Sequence, residues 1–132
     1  MEKLKKFEDL LGKVLIDAQT YPVNDSEPNM LVFTLDSGDK YALLHYQDCC
    51  EWVYLQDIAG DLEDLLDSPI LLAEEVVSEG VQKGIDPPEY CDGSITYTFY
   101  KLATNKGRVT LRWCGSSNGY YSEEVDFVPY AT

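Results

Sequence analysis

Basic side chains are scarce in this sequence. Ten Lys and Arg stand against 24 Asp and Glu, for a formal net charge of −14, where a small soluble domain usually carries about 2–8. Direct contact with DNA or RNA phosphates is therefore disfavoured, because releasing their counterions needs Lys and Arg. No apolar run reaches the roughly 18–20 residues that a membrane-crossing helix needs. The opening MEKLKKFEDLLGK lacks the apolar core of a signal peptide, so the expectation is a cytoplasmic protein with no membrane partner and reduced thiols. There is no internal repeat, no low-complexity linker and no G-x-x-x-x-G-K-[ST] phosphate loop. There is one His.

What is present fits one folded domain spanning residues 1–132. The chain is 45% hydrophobic, with ten Tyr, four Phe and two Trp, a composition that leans towards sheet. The acidity is regional. From Asp48 to Asp92 there are thirteen acidic residues and one basic one, Lys83, while Lys3, Lys5, Lys6 and Lys13 crowd the start.

Periodicity sets out the elements. Leu4, Phe7 and Leu11 recur at spacings of three and four, which predicts a short helix over residues 2–11 ended by Gly12. Val14–Ala18 reads as a strand. Met30–Leu35 and Lys40–Tyr46 read as a hairpin closed by Asp36-Ser37-Gly38-Asp39. Glu51–Ile58 is a further strand, and Gly60–Pro69 predicts a two-turn helix capped by Asp61. Ile70–Val77 reads as a strand with Glu74 and Glu75 at a bulge or edge. Ser94–Ala103 alternates as a half-buried strand, and Arg108–Cys114 and Tyr120–Tyr130 complete the series. The expected fold class is α+β, a mostly antiparallel sheet of about seven strands with one or two short helices.

Three blocks bear on chemistry. His45-Tyr46-Gln47-Asp48-Cys49-Cys50-Glu51 gathers the histidine, two thiols and two carboxylates. With Cys91 and Cys114 it has the atom types of a zinc site, but adjacent cysteines are not the usual C-x₂₋₄-C knuckle, so no metal and no cofactor are expected. A Cys–His nucleophile would need the chain to turn sharply between His45 and Cys49, and no catalytic residue is assigned. The second block is the acidic series Asp57, Asp61, Glu63, Asp64, Asp67, Glu74 and Glu75. It lacks the residue order of a calcium-binding EF-hand loop and is the expected surface for a basic protein partner. The third, Trp113-Cys114-Gly115-Ser116-Ser117-Asn118-Gly119-Tyr120-Tyr121-Ser122, reads either as a plain hairpin turn at Asn118-Gly119 or as a loop that stacks a base on Tyr120 or Tyr121.

The His45-x-x-Asp48-Cys49-Cys50-Glu51 and Ser117–Ser122 blocks, with Gly60-Asp61, Pro69-Ile70-Leu71 and Ala73-Glu74-Glu75 between them, resemble a family of small uncharacterised domains found mostly in bacteriophage and prophage genomes. The resemblance spans roughly residues 30–128. It implies a phage origin and an antagonist of host machinery, such as an anti-CRISPR or other counter-defence protein, and it supplies no catalytic residues. The leading expectation is thus a non-enzymatic acidic inhibitor acting on a basic, nucleic-acid-binding host protein. The alternative is a nucleotide-binding protein or minor enzyme using His45, Asp48, Cys49, Glu51, Ser117, Asn118, Tyr120 and Tyr121.

Overall fold

A computed structural model describes residues 3–22, 28–46, 51–80, 94–117 and 122–130. Eight strands form two four-stranded antiparallel sheets. The strands are β1 (Leu15–Pro22), β2 (Pro28–Leu35), β3 (Lys40–Leu44), β4 (Trp52–Ala59), β5 (Leu72–Glu79), β6 (Ser94–Thr104), β7 (Gly107–Ser117) and β8 (Asp126–Pro129). The first sheet runs β1-β2-β3-β8 and the second β4-β7-β6-β5. The domain is mostly β, which corrects the α+β expectation: among the described residues both anticipated helices are single 3-10 turns, Phe7–Leu10 and Leu62–Leu65. No helix among these residues is long and apolar enough to cross a membrane.

The collapse of the helices into 3-10 turns has a local cause. Isolated helices of about two turns are marginal because nucleation is costly, and each segment has a tighter arrangement available. The Asp9 carboxylate accepts the amides of Lys5 and Lys6 at 2.9 and 3.1 Å, bonds that hold its pKa below the ordinary carboxylate value. Leu11 then leaves helical space, with φ −55° and ψ 126°. With three residues per turn, positions i and i+3 eclipse. The buried face is therefore Phe7 and Leu10, while Leu11 stands 57% exposed, although the sequence spacing had paired Phe7 with Leu11.

The core lies between the sheets. From the first come Leu15, Leu31, Phe33, Leu35, Tyr41 and Leu43, and from the second Val53, Leu55, Tyr100, Leu102, Val109, Leu111 and Trp113. Phe7 plugs the space between them, its ring 4.6 Å from Tyr100, 6.0 Å from Phe127 and 6.5 Å from Phe33, measured between centroids. Ser94–Thr104 is not half-buried as its alternation implied. Tyr100, Leu102 and Thr98 face the main core, while Ile95 and Tyr97 join Cys114, Tyr54 and Phe99 in a second cluster on the opposite face.

Connections at one end hold the layers in register. The β2–β3 turn closes with Leu35 N–H on Asp39 O at 2.8 Å, and Gly38 takes φ +93°. After β4 the chain reverses at Gly60, whose φ of +110° and close approach to Arg108 O leave no room for a Cβ. It then crosses to the first sheet, where Asp67 N–H donates to Leu15 O at 2.7 Å. The 3-10 reading separates two neighbouring leucines: Leu10→Ala should cost about 2–5 kcal/mol as a fully buried truncation. Leu11→Ala should stay within about 0.5 kcal/mol of wild type, and urea denaturation of the two variants checks the difference.

Candidate functional site

The two sequence blocks of the ligand reading converge at the other end of the second sheet. His45 follows β3, Glu51 precedes β4, and the pairing of Trp52 with Ser116 puts Glu51 beside Ser117 at the end of β7. The segment 122–125, leading into β8, crosses the core face of β7 here. It can do so because position 115 is glycine: a Cβ there would meet Glu123 Cβ at 2.8 Å and Glu123 O at 2.9 Å.

A single imidazole ties these segments together. The His45 ring is 5% exposed and the Glu51 carboxylate not at all. Nδ1 lies 2.6 Å from the carbonyl oxygen of Glu124, and Nε2 lies 2.7 Å from Glu51 Oε2. A carbonyl can only accept, so Nδ1 carries the N–H that donates to it. The remaining contact is either imidazolium on carboxylate or carboxylic acid donating to neutral imidazole. In both forms the pair has no net charge, the condition under which such groups tolerate burial. With both nitrogens engaged, His45 works as a clamp on the 122–125 segment.

Beside it, the Ser117 hydroxyl donates to Glu123 Oε2 at 2.5 Å. Among the described residues Glu123 Oε1 and Trp113 Nε1 are buried without a hydrogen-bond partner. Glu123 was not anticipated from the sequence. The signal available was its place beside the Ser122 that closes the Ser-Asn-Gly-Tyr-Tyr-Ser block.

A groove of about 280 Å³ opens next to this cluster, lined by Glu75 and Val77 of β5, Thr96 and Thr98 of β6, and Glu124 and Val125. The Tyr100 hydroxyl donates to the carbonyl of one lining residue, Val125, at 3.4 Å. Burial, and then a hydrogen bond with the Glu75 carboxylate, push this phenol far above its ordinary range. Among the described residues the lining holds two carboxylates, two hydroxyls and two apolar walls, with no basic side chain. That chemistry suits a cationic group carried on an apolar stem.

The acidic series does not form one face. Asp61, Glu63, Asp64 and Asp67 occupy the crossover at the opposite end of the sheet, and several have local duties. Asp61 accepts the Glu63 amide at 3.0 Å, and the Asp64 carbonyl accepts from the Thr104 hydroxyl. Cations intervene there too: the Lys106 ammonium donates to Leu66 O at 2.6 Å. Asp57 lies 3.9 Å from Arg112, Glu74 is the cross-strand neighbour of Lys101, and Glu74 and Glu75 point to opposite faces of β5. Of the series, Glu75 is the one in the groove. Asp48, Cys49, Asn118, Tyr120 and Tyr121 lie outside the described residues, as do Cys50 and Cys91. Cys114 is buried on the second cluster's face. Among the described residues no three His, Cys, Asp or Glu side chains are grouped to hold a metal ion.

Fold and site together define a two-sheet β domain with a histidine–carboxylate clamp beside an acidic groove. The model of the family described as a domain of unknown function, DUF7448, matches residues 8–127, and the chain belongs to that family. No curated protein and no solved structure is found to match it.

Because the clamp is buried, removing one half should be far worse than removing both. His45→Ala should cost about 3–5 kcal/mol, whereas the apolar double replacement His45→Leu, Glu51→Leu should cost markedly less. A double-mutant cycle by chemical denaturation measures the coupling.

Proposed function

We propose that this protein is a non-enzymatic binding module for a basic protein partner, and that the groove between Glu75 and Glu124 receives a Lys or Arg side chain of that partner. In its specific form the reading is a phage- or prophage-encoded inhibitor, of the anti-CRISPR or counter-defence kind, acting on a nucleic-acid-binding host protein. The observation that carries it is the groove itself, a concave site with two carboxylates and, among the described residues, no basic lining on a chain of net charge −14. The engagement of both His45 nitrogens supports a binding role over general-base chemistry, since a base needs a free lone pair aimed at its substrate.

The test is fluorescence anisotropy with a labelled hepta-arginine peptide over a salt series. Binding should weaken steeply with salt, as exposed charge contacts are screened. Neutralising the groove with Glu75→Gln and Glu124→Gln should weaken binding about tenfold, or roughly 1.4 kcal/mol. Neutralising Asp61 and Glu63, which removes the same charge from the crossover, should change it less than about twofold if long-range charge is screened. Equal losses from the two pairs would refute a groove-centred site.

One observation favours the small-ligand reading as a second proposal: the His45–Glu51 and Ser117 blocks are neighbours, and Glu123 Oε1 beside them is buried with no partner among the described residues. A nucleotide bound there at 100 times its Kd should stabilise the protein by about 2.7 kcal/mol. A thermal shift that vanishes in Glu123→Gln is the expected signature, and no shift across the nucleotide panel rejects this reading.

A further inference from the structure

A sheet edge is a row of unpaired peptide groups, and folded proteins blunt such edges with bulges, prolines or short strands. Among the described residues the two sheets present four edges, β1, β8, β4 and β5. Three carry such a device. In β1 the register shifts between Leu15 and Asp17 and again at Tyr21–Pro22. Strand β8 is four residues long and ends in Pro129. In β4 a bulge falls between Leu55 and Asp57.

Strand β5 has none. Its eight residues, LAEEVVSE, pair with β6 in unbroken register from Leu72–Ala103 to Glu79–Thr96. It contains no proline and no lysine. Four successive residues, Glu74 to Val77, are exposed, and Val76 and Val77 are 41% and 57% exposed. The bond from Gly80 N–H to Ile95 O at 2.8 Å fixes the alternation of the ladder. Even-numbered peptide groups face β6, so those of Ala73, Glu75, Val77 and Glu79 point to the open edge. Among the described residues no strand pairs with that side.

We infer that β5 is a strand-addition site: an extended, lysine- or arginine-bearing segment of the partner pairs with its open edge and extends the second sheet to five strands. This rests on the proposed binding function and says how the partner is held. Main-chain bonds to Glu75, Val77 and Glu79 supply affinity in this mode of recognition, and side chains set specificity. The charge on the strand selects the occupant. Glu74, Glu75 and Glu79 are the charged residues of β5 and all are acidic, so a basic segment brings complementary charge across the new pair, where opposite charges stabilise and like charges repel. A second copy of β5 would bring three further carboxylates and no cation. The groove is continuous with this edge, because Glu75 and Val77 belong to both.

The probe is an N-acetylated, C-amidated octapeptide of alternating lysine and valine, with a control whose alternate peptide nitrogens are N-methylated. Amide hydrogen exchange of the ¹⁵N-labelled protein is the readout. The expected result is exchange at Glu75, Val77 and Glu79 slowed at least about tenfold by the peptide, which reports local protection, and no effect of the control. Val77→Pro should abolish binding while leaving thermal stability near wild type, because its N–H points away from the ladder and an edge tolerates proline there. Should that variant fail to fold, the methylated control still decides. Peptide binding without slowed exchange at these amides overturns strand addition and leaves the acidic binding function standing. So does failure of this peptide when hepta-arginine binds. Failure of both peptides removes the two proposals together. Protection of the same amides in the protein alone, growing with its concentration, would make a second copy the occupant and also overturn the inference.

Discussion

The arrangement at the groove end depends on one imidazole ring. His45 stands where the first sheet gives way to the second, and its two nitrogens hold, on one side, the carboxylate that begins β4 and, on the other, a carbonyl of the segment that returns to β8. Without those bonds the 122–125 segment would keep its hydrogen bonds to Ser117 and Tyr100 but lose its tie to the chain between β3 and β4. That segment forms one wall of the groove through Glu124 and Val125 and meets the Tyr100 hydroxyl from the core. The groove is thus set by a buried polar contact whose partners come from three separated stretches of chain. Such networks specify a single arrangement when their members are satisfied.

The charge of the molecule takes on a different meaning once it is distributed over this frame. A net charge of −14 invites the picture of one continuous acidic face, yet Arg112, Lys101 and Lys106 are interleaved with the carboxylates nearest to them in the fold. Such exposed pairs contribute little to stability, but they cancel the local field. The carboxylates that keep their field are those set in a concave wall or along an open strand, where Glu75 serves in both settings. Position, more than number, decides which acids can recognise a partner.

The sequence disclosed the strands well because alternation and turn chemistry are local. The Asp36–Asp39 hairpin and the Asp61 cap needed only nearest neighbours to be read. The helices were misjudged for an equally local reason. Leu4, Phe7 and Leu11 satisfy a 3.6-residue period, but the Asp9 side chain and the turn at Gly12 favour a tighter winding that buries Leu10 instead. Ser94–Ala103 reads as half-buried because Ile95, Tyr97 and Phe99 alternate with Thr96, Thr98 and Tyr100. Its true setting depends on β5 and β7 flanking it, which no single segment reveals. The meeting of Glu51 with Ser117 and the role of Glu123 are likewise products of register between distant strands. The glycine at position 115 makes them possible and reads in the sequence only as part of a loop.

The pairing of β3 with β8 has a consequence for the order of assembly. Leu44 finds its partner Asp126 only after the chain has passed through all four strands of the other sheet. Closing so long a loop is entropically costly before any contact compensates it, and topologies dominated by such pairings fold slowly. The β1–β2–β3 meander and the β5–β6–β7 meander join neighbours in the chain and can form early. The return of β8, with the 122–125 segment, completes both the first sheet and the groove. Until β8 pairs, the free side of β3 is a further open edge, a row of unpaired peptide groups of the kind that invites pairing with another chain.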